Sequence, residues 1–159
     1  MGAGKSTIGR RVADALGRPF LDNDELLERS TGHTAAELAA TEGIDALHRA
    51  EADVLLEALR TPGPAVIAAA ASTITVEAVR HALREVTVVW LRAAPEALAA
   101  RLPGSPTRPF GGADLQRLVR EQSEQRDARF AAAADIVEET DKSDMNALVA
   151  TVLRRLAES

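Results

Sequence analysis

Gly2-Ala3-Gly4-Lys5-Ser6-Thr7 opens the chain, and Ile8, Val12 and Leu16 follow at four-residue spacing before Gly17. The first stretch is the right-hand part of the phosphate-binding pattern Gly-x-x-x-x-Gly-Lys-Ser/Thr. Its two glycines let the backbone approach a polyphosphate with no Cβ in the way, and their successive N–H groups form an anion nest. The second stretch predicts a helix running from the loop to a glycine stop. A helix that begins near Lys5 adds unsatisfied N-terminal donors and the positive end of its dipole, a seat for a β-phosphate. Lys5 then places a charge between the β- and γ-phosphates of ATP, and the Ser6 hydroxyl ligates the bridging Mg2+. A glycine-rich turn that only opens a helix is the bland alternative, and the Lys-Ser-Thr run after the second glycine argues against it. The pattern's first glycine falls before Met1, so the buried strand that leads into such a loop is expected upstream, in a longer natural start.

A chain of 159 residues is expected to form a single domain, 1–159, large enough to bury a core. With a net charge of −5 and acids interspersed among the arginines, no basic stripe stands out, which argues against a nucleic-acid partner. No cysteine is present, so disulfides and thiolate zinc sites are excluded and a reducing compartment fits. No apolar run approaches the length of a membrane span. The expectation is a cytoplasmic monomer acting on a small molecule. Aromatics are confined to Phe20, Trp90, Phe110 and Phe130, so the core should be aliphatic.

Along the chain, Pro19-Phe20-Leu21-Asp22 predicts a short strand, with Asp22-Asn23-Asp24 at its C-terminal end, the ligand edge of an open α/β sheet. Two carboxylates there reach a metal nucleotide; a helix N-cap for the segment with Leu26 and Leu27 is the competing reading of one of them. Thr34–Thr41 and Ile44–Arg60 read as helices, the second with an apolar stripe. Ala65–Ala69 reads as a buried strand ending in a turn at Ala70-Ala71-Ser72, then Val76–Glu85 as helix and Val86–Leu91 as strand. The Gly/Pro-rich stretch at about 103–113, carrying Arg108, reads as a lid. Ala113–Phe130, Asp135–Glu139 and a final helix capped by Asp144 complete an alternation that implies a parallel sheet in three layers.

These residues resemble the shikimate kinase family over nearly the whole chain. The carriers are the Gly2–Thr7 loop, Phe20-Leu21-Asp22-Asn23-Asp24, Ser30-Thr31-Gly32-His33-Thr34, Gly43 with Glu51, Val88-Val89-Trp90-Leu91, Arg108-Pro109, and Arg126 before Ala134-Asp135-Ile136-Val137. The resemblance implies an α/β P-loop kinase fold with strand order 2-3-1-4-5, whose first strand is the one expected upstream. It implies transfer of the ATP γ-phosphate to a hydroxyl of shikimate or a related hydroxylated acid. Carried over by residue, Gly2, Ala3, Gly4, Lys5, Ser6 and Thr7 hold the nucleotide, Arg101 stacks on adenine, and Ser6 and Asp22 hold magnesium. Asp24 is the acceptor's base, Arg108 the lid arginine at the transferring phosphate, and Arg126 the grip on the substrate carboxylate. A nucleotide-binding module without the acceptor site is the second hypothesis, to be separated from the first by acceptor-dependent ADP release.

Two stretches depart from the family pattern. Phe-Arg-x-x-Glu becomes Leu47-His48-Arg49-Ala50-Glu51, which puts histidine where a carboxylate-binding arginine belongs, and Arg49 lies about 100° further round the helix. Gly-Gly-Gly becomes Ala70-Ala71-Ser72, whose Cβ atoms narrow the acceptor pocket. His48 reads first as a packing or surface residue and second as a substrate contact, while Ala70 and Ala71 are expected at the substrate site, obstructing the pocket floor.

Overall fold

A computed structural model describes residues 4–94, 121, 126–141 and 144–158. Gly2, Ala3, Arg101, Arg108 and the expected lid at about 103–113 lie outside the described residues. The chain forms two compact units, one of residues Lys5–Val86 and one built from Thr87 onward together with the residues up to Gly4.

In the first unit, helix α1 (Lys5–Leu16) buries Ile8, Val12 and Ala13, the face expected from their spacing. Gly17 stops it at φ +62°, a left-handed turn that leaves Arg18 N to donate to Ala13 O at 2.9 Å. Strand β1 (Phe20–Asp22) follows, and Phe20 packs so close to Gly9 that a Cβ on Gly9 would lie 2.7 Å from the ring. Arg10 covers the same ring at 4.8 Å.

Helix α2 (Asn23–Thr31) and helix α3 (Ala35–Glu42) lead into the long helix α4 (Ile44–Arg60). Thr34 and Glu37 form a capping box at the start of α3, each side chain bonding the other residue's backbone N–H. This pairing holds the Glu37 carboxyl below the usual carboxylate range, chiefly through the bond from the Thr34 backbone. Helix α4 organises the core with two stripes. Leu47 and Val54 pack with Leu27 and Leu38, while Ala52 and Leu55 pack with Val79. Leu27 and Leu55 are essentially sealed from solvent, each stabilising the fold by about 1.5–3 kcal/mol.

Strand β2 (Val66–Ala68) pairs parallel with β1, Phe20 opposite Val66 and Asp22 opposite Ala68. It is shorter than the expected Ala65–Ala69 because β1 offers only three residues to pair with. The turn after it is a 3-10 helix, Ala71–Thr75, and helix α5 (Glu77–Ala82) passes into a second 3-10 turn, Leu83–Glu85, where one continuous helix was expected.

The second unit holds strand β3 (Val89–Arg92) and strand β4 (Ile136–Glu139), again parallel, with Val89 opposite Ile136 and Arg92 opposite Glu139. Strand β3 begins later than the expected Val86 because its partner begins at Ile136. Val88 N donates instead to the Asp135 carboxylate at 2.8 Å. Residues 126–133 are helical, and Phe130 stacks on Trp90 with centroids 5.5 Å apart. In the last helix, Met145–Glu158, Leu148 and Val152 are buried, and the Asp144 carboxylate caps its start by accepting from Asn146 N at 3.1 Å. Four strands in two parallel pairs, β1 with β2 and β3 with β4, are thus seen among the described residues.

Candidate active site

Lys5 is the first residue of α1 and follows Gly4, whose φ of +83° lies where a side chain would be strained. Its side chain is half-buried, and burial pushes its pKa below the usual lysine range against the opposing pull of three carboxylates, Asp24 first, then Asp22 and Glu51. The acids at the end of β1, at the start of α2 and on α4 are thus the charges that act on the ammonium. Ser6 and Thr7 are exposed in the first turn of α1, where unsatisfied backbone donors collect.

Asp22 ends β1 and is nearly sealed, 8% exposed. Its Oδ1 accepts from Asp24 N at 3.0 Å and caps α2. The helix-cap reading of this acid therefore holds for one oxygen, and the charge of the carboxylate also acts on the loop lysine. Asp24, in the first turn of α2, is exposed. Between them Asn23 is 1% exposed, and neither its Oδ1 nor its Nδ2 has a partner among the described residues.

Two residues that the sequence reading left out of the site belong to this cluster. Glu51 is buried on α4 at 8% exposure, and it accepts a hydrogen bond from the hydroxyl of Ser72, itself 6% exposed in the 3-10 turn. The signal for Glu51 was present: a carboxylate four residues after Leu47 and four before Leu55 lies on the apolar stripe, where a charge needs a reason. His48, half-buried, stands three residues before Glu51 and so one turn away along the same side of α4. Ala70 has φ −67° and ψ 138°, and among the described residues no non-glycine residue has a positive φ. The Ala70-Ala71-Ser72 turn therefore forms without the glycines that the family pattern places there. Arg126 belongs to the other compact unit, half-buried at the start of the helical stretch 126–133.

No group of three acidic or histidine side chains forms a protein-only metal cluster among the described residues. A nucleotide-bound Mg2+ requires less, since it takes one or two protein oxygens beside phosphate and water. The exposed Ser6 hydroxyl and the Asp22 carboxylate are hard oxygen donors of that kind.

A phosphate-binding loop that opens α1, with two acids at the carboxyl edge of the next parallel strand, defines an α/β protein of the P-loop kinase class. The family model for shikimate kinase matches residues 1–157. The shikimate kinase of Symbiobacterium thermophilum is 35% identical over 99% of this chain and 92% of its own length. That of Mycobacterium avium is 36% identical over 98% of this chain and 88% of its own. The structure of shikimate kinase from Acinetobacter baumannii in complex with shikimate superimposes with a TM-score of 0.90 at 30% identity, covering 99% of this chain and 89% of that one. The chain belongs to the shikimate kinase family.

Proposed function

We propose that this chain is one kinase domain that transfers the γ-phosphate of ATP to a hydroxyl of shikimate or a closely related hydroxylated acid. The observation that carries the reading is Lys5 at the first position of α1, with the buried Asp22 ending β1 and Asp24 opening α2, whose charges act on it together with that of Glu51. A lysine that a buried site keeps next to acids is poised to exchange them for the anionic phosphates of a nucleotide. In the reaction the acceptor hydroxyl forms a bond to the γ-phosphorus while the bond to the β,γ-bridging oxygen breaks, and ADP leaves. Asp24 takes the hydroxyl proton. Lys5 and the dipole of α1 offset the charge gathering on the phosphates, the main requirement of a loose phosphoryl-transfer transition state. When bound, Mg2+ would be held by the Ser6 hydroxyl and the Asp22 oxygen not engaged in the cap, and would neutralise phosphate charge. Roles for Gly2, Ala3, Arg101, Arg108 and Arg126 follow from the family resemblance, with Arg126 on the acceptor carboxylate. The same reading makes the protein a cytoplasmic monomer without a nucleic-acid partner; no helix among the described residues is long and apolar enough to cross a membrane.

The test is ADP release from Mg·ATP with shikimate, quinate or gluconate as acceptor, alongside Lys5→Ala. Saturable, acceptor-dependent release that falls below about a tenth of wild type in Lys5→Ala is expected. Release that is independent of every acceptor, or a Lys5→Ala variant of near wild-type rate, overturns the reading.

A further inference from the structure

The 3-10 turn Ala71–Thr75 is unusually well tied down for a loop. Thr73 Oγ1 donates to Ala70 O at 2.6 Å, Thr75 Oγ1 donates to Ser72 O at 2.7 Å, and Arg80 donates to the carbonyls of Ile74 and Thr75 at 2.9 and 2.8 Å. Ser72, Thr73 and Ile74 are buried. The turn thus presents the Ser72 hydroxyl from a fixed backbone to the buried Glu51 carboxylate. No other donor to that carboxylate is found among the described residues. A buried carboxylate without a donor is strongly disfavoured, so Ser72 has a task that neither alanine before it can perform.

The placement of Glu51 gives this bond a functional meaning. Glu51 acts on Lys5, the phosphate-loop cation, and lies one helical turn from His48, which stands where the family pattern has a permanent cation. An arginine at 48 would be able to donate to Glu51 as a carboxylate-binding guanidinium one turn away. Histidine is shorter, and the His48 side chain makes no hydrogen bond among the described residues. The donor that holds Glu51 comes instead from the 3-10 turn after β2, from a position where the pattern has glycine and hence no side chain.

We propose that Ser72 is a positioning residue of the acceptor site, whose hydroxyl fixes the Glu51 carboxylate in place of a cation on α4 and so sets the acceptor specificity of this chain. The proposal rests on the kinase reading above. Ser72 touches neither phosphate nor nucleotide in this role; it acts through Glu51 on the wall that receives the acceptor.

The experiment is steady-state kinetics of Ser72→Ala, Ser72→Gly and Ser72→Thr, with Ser72→Ala also made in a Glu51→Gln background, using whichever of shikimate, quinate or gluconate the wild type phosphorylates. Loss of a hydrogen bond to a charged group should raise the acceptor KM about tenfold in Ser72→Ala and in Ser72→Gly, with the ATP KM changed less than about twofold. Ser72→Thr, which keeps the hydroxyl, should return to within about threefold of wild type. In the Glu51→Gln background Ser72→Ala should add little, because both changes remove one interaction. Three results would overturn the proposal while leaving the kinase reading intact: Ser72→Gly as good as wild type, so that only pocket volume matters; equal rises in both KM values; or a lowered melting temperature with both KM values unchanged, the mark of a purely structural bond. A wild type that releases no ADP with any of the three acceptors overturns the kinase reading itself, and this proposal with it.

Discussion

His48 is half-buried one helical turn before Glu51 on α4, where a shikimate kinase pattern has arginine. A charge-assisted contact to a carboxylate is worth about 1.5–3 kcal/mol, so its absence weakens the grip on an acidic acceptor by about 10- to 150-fold unless another group compensates. Restoring the cation with His48→Arg should therefore lower the KM for shikimate by a factor in that range, measured at about pH 8 with ATP saturating. An unchanged KM would mean that position 48 does not meet the acceptor at all, and that packing is its whole role. Arg126 is already assigned to the acceptor carboxylate in the proposed site, so the gain reports what a second cation adds. The substitution at 48 was visible in the sequence because it breaks a short pattern. The Ser72–Glu51 bond was not, because nothing in a string of residues shows that a hydroxyl and a carboxylate 21 positions apart meet.

Helix α1 and strand β1 meet at Gly9 and Phe20. A Cβ at Gly9 would stand 2.7 Å from the Phe20 ring, so Gly9→Ala must swing the ring, break its stacking under Arg10 and push on the strand that delivers Asp22. Overpacking of this kind costs about 1–3 kcal/mol. Denaturant unfolding should show that loss, with the slope unchanged. Phosphoryl transfer should suffer as well, because Lys5 and Asp22 are mounted on the two elements being forced apart. A fully stable Gly9→Ala variant would show that the ring relocates without moving β1. Much of the element layout was legible beforehand: the four-residue spacing in α1, the limits Ile44–Arg60 of α4 and the Asp144 cap each have a local physical cause. The ends of β2 and β3 were not, since a strand stops where its partner stops, and the break of the Val76–Glu85 segment into α5 and a 3-10 turn has no comparable local signal.

For the molecule as a whole, the burial of Lys5 links folding to pH. Its pKa lies below the ordinary 10.5 in the folded state, so between those two values the unfolded chain binds more protons than the folded one. Stability attributable to Lys5 must then rise as pH rises through the lowered pKa toward 10.5, and the penalty for a buried charge is fully present below it. Wild type should gain in melting temperature relative to Lys5→Ala on going from about pH 8 to 10. A constant difference between the two proteins across that interval would show that Lys5 is solvated like a surface lysine. The phosphate role proposed for this lysine comes from Gly4-Lys5-Ser6 alone; that the charges of three separate carboxylates, from β1, α2 and α4, act on it depended on the folded chain. The Asp22 cap has one further effect, on chemical ageing. Asparagine side chains deamidate when the next residue's backbone nitrogen attacks the carboxamide carbon. Here the nitrogen after Asn23 is that of Asp24, already donating to Asp22 Oδ1 within a helical turn, and the carboxamide is shut away from water. Asn23 should keep its amide for as long as α2 stays folded, so that its slow conversion to aspartate in stored protein becomes a clock for the opening of that helix.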